Sequence, residues 1–106
     1  MDARQKKRLE ADGWKFGNYA DFLGLTDAEV VLVELRASLA AALKARRARL
    51  GVTQVELAKR LRSSQSRVAK MEAGNPAVSF ELLIRALLIM GASRKEVAGA
   101  LSAKVP

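Results

Sequence analysis

The residues that mark where helices start and end are the feature of this sequence that most constrains its fold. Three segments have the form of a capping box, in which Ser or Thr is followed three residues later by Glu: Thr26–Glu29, Thr53–Glu56 and Ser93–Glu96. The hydroxyl can accept a hydrogen bond from an unpaired N–H of the first helical turn, and the carboxylate can reach back to the capping residue. Each box therefore predicts the start of a helix.

Glycines mark the expected helix ends. Gly51, Gly74 and Gly91 fall where a left-handed residue is favoured just after a helix. Ser64 and Ser79 are further candidates for N-caps. Together these signals predict an all-α fold with helices at residues 27–50, 54–62, 65–73, 80–90 and 94–103.

The first 25 residues differ in character from the rest. The pattern there predicts a charged helix at 2–11 and an extended segment at 13–17. Four of the five aromatic residues lie within nine positions, namely Trp14, Phe16, Tyr19 and Phe22. They form either a small core on the first long helix or a surface for a partner. We therefore predict an N-terminal extension at 1–25 and a helical domain at 26–106.

The charge of the chain is concentrated in one stretch. Residues 44–70 hold nine of the 19 cations and a single acid, Glu56, whereas ten of the 11 acids lie elsewhere beside the other ten cations. The stretch therefore carries the whole net charge of +8. Such a local positive field indicates a polyanionic partner, with nucleic acid favoured over an anionic membrane surface. No apolar run approaches the roughly 20 residues that span a bilayer.

The chain contains neither cysteine nor histidine. Disulfides and thiolate metal sites are thereby excluded, and the commonest general base and metal ligand is missing. We expect no enzymatic activity, no metal and no cofactor. The N-terminus is charged throughout, unlike a signal peptide, so a cytoplasmic location is expected.

Two short helices are predicted within the basic stretch, in the sequence TQVELAKRLRSSQSRVAKMEAG. The first has an apolar stripe of Leu57, Ala58 and Leu61, and the second has Val68 and Met71 one turn apart. A connection of about three residues joins them. This arrangement predicts a helix-turn-helix whose second helix leaves one polar side free.

The free side of the second helix suits contact with base edges. Glutamine can bond adenine through two hydrogen bonds, lysine can reach guanine, and arginines with helix N-termini can hold phosphates. The alternative is a solvated charged face with Ser64 as a plain N-cap. The candidate reading residues are Gln65, Ser66, Ala69 and Lys70, and Arg67 beside them could touch either the backbone or a base.

These residues resemble the helix-turn-helix of the Xre, or lambda-repressor-like, family, over about residues 34–90. The resemblance implies a five-helix domain in which Gln54 bonds a phosphate, Gln65 reads a base, and an ion pair joins Arg47 to Glu72. The DNA-binding residues predicted for this chain are Gln54, Arg62, Ser64, Gln65, Ser66, Arg67, Ala69 and Lys70.

One position departs from that family, which usually has glycine in the turn where this chain has Arg62. A left-handed backbone at a non-glycine residue costs roughly 1 kcal/mol. We therefore expect the turn to close differently, with the arginine free to add a phosphate contact.

The whole chain is similar, more narrowly, to HigA-type antitoxin regulators. That resemblance implies a homodimer that represses its own operon and binds a RelE-like toxin. Surplus apolar residues in the last two helices also favour a dimer, which would place two reading helices roughly 34 Å apart on a palindromic double-stranded operator. These residues are Leu82, Leu83, Ala86, Leu87, Ile89, Met90, Val97, Leu101 and Val105. A stand-alone regulator, or a protein-interaction module that uses the aromatic segment, are the alternatives.

Overall fold

The computed structural model describes Gly24 and residues 26–103 of the chain. Within these residues the fold is all-helical, without strands, as predicted. The five helices are α1 (Asp27–Arg49), α2 (Gln54–Arg60), α3 (Gln65–Glu72), α4 (Phe80–Ile89) and α5 (Arg94–Ser102). The predicted helix at 2–11, the extended segment at 13–17 and the four N-terminal aromatics, Trp14, Phe16, Tyr19 and Phe22, lie outside the described residues.

The chain divides into two units, Met1–Val33 and Glu34–Pro106, so the division falls inside α1. The hydrophobic core lies in the second unit. Its central side chains come from four helices and have almost no exposed surface: Leu39, Leu43, Leu57, Val68, Met71 and Leu83. Burial of such side chains supplies the main driving force for folding, about 1.5–3 kcal/mol each. The apolar stripes predicted for α2 and α3 face this core.

The N-termini of the helices are capped as the sequence predicts. In all three capping boxes the hydroxyl accepts from the N–H of the glutamate at 3.1 Å, and the glutamate accepts from the N–H of the capping residue. Ser64 and Ser79 cap α3 and α4 in the same way, each through its side-chain oxygen. Each such cap contributes about 1 kcal/mol, which helps to define where these short helices begin.

The C-termini of four helices end in the same left-handed turn. Gly51, Gly74 and Gly91 have positive φ angles, as predicted, and so does Arg62, at 54°. The N–H of Arg62 donates to the carbonyl of Lys59 at 3.1 Å, and that of Ser63 donates to the carbonyl of Ala58 at 2.8 Å. This is the pair of bonds that closes a Schellman motif.

The expectation that the turn would close differently at Arg62 is therefore wrong. The two hydrogen bonds satisfy carbonyls that the end of α2 would otherwise leave unpaired, and Leu61 packs against the core beside them. These gains outweigh the cost of placing a side chain in the left-handed region. The short α2–α3 connection thus keeps the geometry of a glycine turn without the glycine.

Side chains of α1 hold the later helices in place. The Nε of Arg36 donates to the carbonyl of Val78 at 3.3 Å, and its guanidinium lies 4.6 Å from the centre of the Phe80 ring. The hydroxyl of Ser38 donates to the carbonyl of Ala103 at 2.9 Å. These bonds hold the segment before α4 and the end of α5 against α1.

We predict that Arg62→Gly stabilises the protein by about 1 kcal/mol, because glycine adopts this φ without a Cβ clash. The melting temperature measured by circular dichroism should rise by several degrees. Gly74→Ala is the matched control, since a Cβ there meets no atom within 4 Å and adds backbone strain alone at φ 73°. It should lower the melting temperature. A lower melting temperature for Arg62→Gly would contradict this account of the turn.

Candidate nucleic-acid interface

The α3 helix lies half in the core and half on the surface. Val68 and Met71 are completely buried. The four candidate reading residues, together with Arg67 beside them, are all exposed: Gln65, Ser66, Ala69, Lys70 and Arg67. Since α2 and α3 make the most extensive contact between any two helices among the described residues, the exposed side of α3 is presented on a firmly packed support.

The turn before α3 adds polar groups to the same surface. Ser64 accepts from the N–H of Arg67 at 3.1 Å, so its oxygen is used as a cap while its hydroxyl hydrogen is free to donate. Arg62 is exposed. The free N–H groups of the first turn of α3 point toward the same end, where the helix dipole favours an anion. This end of α3 can therefore hold a phosphate next to the reading side chains.

Gln54, the first residue of α2, is half-buried, and its side chain contacts residues at both ends of α3. Its Nε2 donates to Oε1 of Glu72 at 3.2 Å, and its Oε1 accepts from Nε2 of Gln65 in a long bond of 3.5 Å. One hydrogen on Nε2 of Gln54 remains for a phosphate. The resemblance did not predict that Gln54 also contacts the candidate reading residue Gln65.

An ion pair joins the end of α1 to the end of α3. The Nε of Arg47 donates to Oε2 of Glu72 at 2.5 Å, and one terminal nitrogen donates to Oε1 at 2.9 Å. The other terminal nitrogen of Arg47 donates to the carbonyl of Val52 at 2.9 Å. Only 16% of the Arg47 side chain and 4% of the Glu72 side chain are exposed. The pair is thus largely buried, behind the exposed side of α3.

The pair shifts the ionisation of both partners. Burial by itself would raise the pKa of Glu72, but hydrogen bonds from Arg47 and Gln54 and the charge of Arg47 outweigh it, so the pKa lies below the ordinary value. The hydrogen bond to Glu72 raises the pKa of Arg47. Glu72 is therefore a carboxylate at neutral pH, and it can only accept hydrogen bonds.

The nine cations of residues 44–70 do not all contribute to the outward field. Arg46 and Arg47 are largely covered, and each is paired with an acid, Glu96 and Glu72 respectively. The other seven are exposed: Lys44, Arg49, Lys59, Arg60, Arg62, Arg67 and Lys70. Two cations that the sequence placed in a binding stretch are thus used to hold helices together.

The α4 helix carries apolar groups on its outer side as well as on its core side. Leu83, Ala86, Leu87 and Met90 are buried. Leu88 and Ile89 are exposed by 49% and 40% respectively. An exposed ion pair with a distance of 3.6 Å, between Arg85 and Glu81, lies on the same outer side. Sequence reasoning anticipated surplus apolar surface here but missed Leu88.

Other kinds of site are not formed by the described part of the chain. No group of three or more acids there could hold a metal ion. No helix among residues 26–103 is long and apolar enough to cross a membrane. Residues 38–100 match the family model of a helix-turn-helix domain, which covers more than half of the chain.

The structure of the clp gene regulator ClgR from C. glutamicum is also similar, with 40% sequence identity and a TM-score of 0.56. The match covers 64% of this chain and 88% of that chain. No curated protein matches the sequence. Family and neighbour together support a DNA-binding regulator.

We predict that Arg47→Ala lowers stability by about 3–5 kcal/mol, because it leaves the buried carboxylate of Glu72 without its counter-charge. Thermal and urea denaturation at neutral pH would measure the loss. Lys95→Ala is the matched control. It removes an exposed cation on α5 and should cost about 0.5 kcal/mol or less.

The pH dependence gives a second check on the same pair. Because the pKa of Glu72 is lower in the folded state, its contribution to stability is complete at neutral pH and is lost as the pH falls through the folded-state pKa. The destabilisation caused by Arg47→Ala should therefore shrink in acid. An unchanged melting curve at neutral pH would remove the pair from this account.

Proposed function

Because the chain belongs to the helix-turn-helix domain family, we propose that it is a sequence-specific transcriptional regulator that binds double-stranded DNA as a homodimer. The observation that carries this proposal is the exposed side of α3. It places Gln65, Ser66 and Lys70 outward while Val68 and Met71 are buried behind them. A helix supported in this way can enter the major groove with its polar side toward the base edges.

We assign base reading to Gln65 and Lys70, and groove contacts to Ser66 and Ala69. The methyl group of Ala69 suits the methyl of thymine. Phosphate contacts come from the groups around the start of α3, where free N–H groups and cations coincide. The phosphate-binding set is Gln54, Arg62, Ser64 and Arg67.

The outer side of α4 supports the homodimer. Leu88 and Ile89 are apolar and exposed, and Glu81 and Arg85 lie one turn apart beside them. When two copies of α4 meet antiparallel about a two-fold axis that passes beside Leu88 and Ile89, the exposed apolar side chains of one copy cover those of the other, so the surface complements itself. Two α3 helices related by that axis predict a palindromic operator.

Pairing with a RelE-like toxin, and repression of the chain's own operon, rest on the resemblance of the sequence alone. The segment that would contact a toxin includes Trp14, Phe16, Tyr19 and Phe22, which lie outside the described residues. The similarity to a clp gene regulator favours a stand-alone regulator instead. A small, basic, toxin-like reading frame beside the gene would decide for the antitoxin role.

We predict that Gln65→Ala combined with Lys70→Ala removes the preference for the cognate operator while the fold remains. Each lost base contact costs about 1–3 kcal/mol of discrimination, so the ratio of specific to non-specific affinity should fall at least about tenfold. An operator selected from random duplexes and a scrambled duplex would be compared by fluorescence anisotropy.

The matched control for that experiment is Lys95→Ala, an exposed lysine on α5 outside the helix pair. It should leave the ratio unchanged, although overall affinity falls slightly with the loss of one charge. If the double variant still selects the wild-type operator, α3 is not the reading helix.

We also predict that Leu88→Glu converts the dimer into a monomer, because it places two carboxylates of like charge against each other in an apolar two-fold contact. Sedimentation velocity would measure the change. Leu50→Glu makes the same substitution at a leucine of equal exposure, 50%, just after α1, and should remain dimeric. A dimeric Leu88→Glu variant would rule out α4 as the interface.

A further inference from the structure

A cavity of about 240 Å³ lies between the last turns of α1 and the α5 helix. Its floor is apolar and is formed by Leu87 and Ala92, which are both buried. Its walls are alanines, Ala42 and Ala45 on α1 and Ala100 on α5. Because alanine side chains are short, they leave the space between the two helices unfilled.

The size and lining of the cavity suit a small molecule. Sites for drug-sized ligands measure about 300–1,000 Å³ and combine an apolar lining with a few polar groups that orient the ligand. This cavity is somewhat smaller, so it matches a compact body of one or two rings. Ala45 is exposed, so the cavity is open to solvent along the α1 side.

Three charged side chains stand around the cavity, namely Arg46, Arg49 and Glu96. One terminal nitrogen of Arg46 donates to the carbonyl of Met90 at 3.2 Å, and the other forms an ion pair with Glu96. The charge of Arg46 is therefore compensated within the protein.

The charge of Arg49 is not compensated in the same way. Arg49 is exposed, and no acid among residues 26–103 lies within salt-bridge distance of it. The pKa of Glu96 lies below its ordinary value, mainly through the backbone N–H of Ser93 and also through the charges of Arg46 and Arg49. Arg49 is thus close enough to act on the same site. With two cations and one acid, the cavity has an excess of one positive charge.

An excess positive charge beside an apolar floor defines the chemistry of the ligand. A guanidinium binds a carboxylate through two parallel hydrogen bonds. A neutral molecule would gain the apolar contact but not this pairing, and an organic cation would be repelled.

We propose that this cavity binds a small organic acid, whose carboxylate pairs with Arg49 while its apolar body rests on Leu87 and the surrounding alanines. No residue of α2 or α3 lines the cavity. The proposal is therefore independent of DNA binding and gives the protein a second site, for a metabolite-sized anion.

The test uses naphthoate, a two-ring carboxylate, as the probe. The isotope-labelled full chain is titrated with it and followed by two-dimensional NMR of the backbone amides. We expect the signals of Ala42, Ala45, Ala92 and Ala100 to shift and to saturate, with a dissociation constant of about 1 mM for a ligand of this size. Naphthylmethanol has the same rings without the charge and should bind more weakly.

Two substitutions separate the charge from the cavity. Arg49→Gln should weaken naphthoate about three- to fivefold, the contribution of an exposed ion pair, and leave naphthylmethanol unchanged. Ala45→Phe places a ring over the floor and should abolish the binding of both molecules.

Each substitution has a matched control on another side of α1. Lys44→Gln removes an exposed cation, and Ala48→Phe enlarges an exposed alanine, but neither residue lines the cavity. Both variants should bind the two molecules as wild type does. Melting curves would show that every variant is folded at the temperature of the titration.

Several results would overturn the proposal. Shifts confined to the exposed side of α3 would mean that naphthoate binds the basic surface alone. Equal affinity of wild type and Arg49→Gln would remove the preference for an acid, and binding by Ala45→Phe would place the site elsewhere. If wild type does not bind but the Leu88→Glu variant does, a second copy of the chain covers the cavity and a small molecule is not its occupant.

Discussion

The buried ion pair between Arg47 and Glu72 is the interaction on which the arrangement of this protein depends. It joins the last turn of α1 to the last turn of α3, and a third bond from Arg47 holds the chain at Val52, between α1 and α2. Burial of two charges is costly, so their attraction contributes modestly to net stability. The pair fixes the position of α3 relative to α1, because a buried carboxylate tolerates few alternative positions for its partner.

That geometry connects the core with the surface. The core side of α3 is fixed by apolar packing of Val68 and Met71, which sets the depth of the helix but only weakly its rotation and its amide orientations. Polar bonds have direction, and they supply what packing lacks. The end of α3 is held by Glu72 and its start by the cap at Ser64, so both ends of the candidate reading surface are defined by directional contacts.

Local rules predicted the helices because their signals are local. A capping box needs residues three apart, and the three boxes begin helices where they should. The turn at Arg62 shows the limit of such rules. Backbone preference disfavoured a left-handed arginine, but the two bonds of the Schellman motif and the core contact of Leu61 are stronger together than that preference. A residue can adopt a backbone conformation that it disfavours when hydrogen bonds and core contacts of its neighbours stabilise the turn.

Composition and spacing alone determined that the chain is helical, that its positive charge is gathered in one stretch, and that α3 has an apolar and a polar side. Only the tertiary structure decided which cations are free and which, like Arg46 and Arg47, are used inside. It alone revealed the contact between Gln54 and Gln65 and the exposure of Leu88. The physical reason is distance: periodicity assigns a residue to a side of its own helix, whereas a partner 11 or 25 positions away is set by how the helices pack.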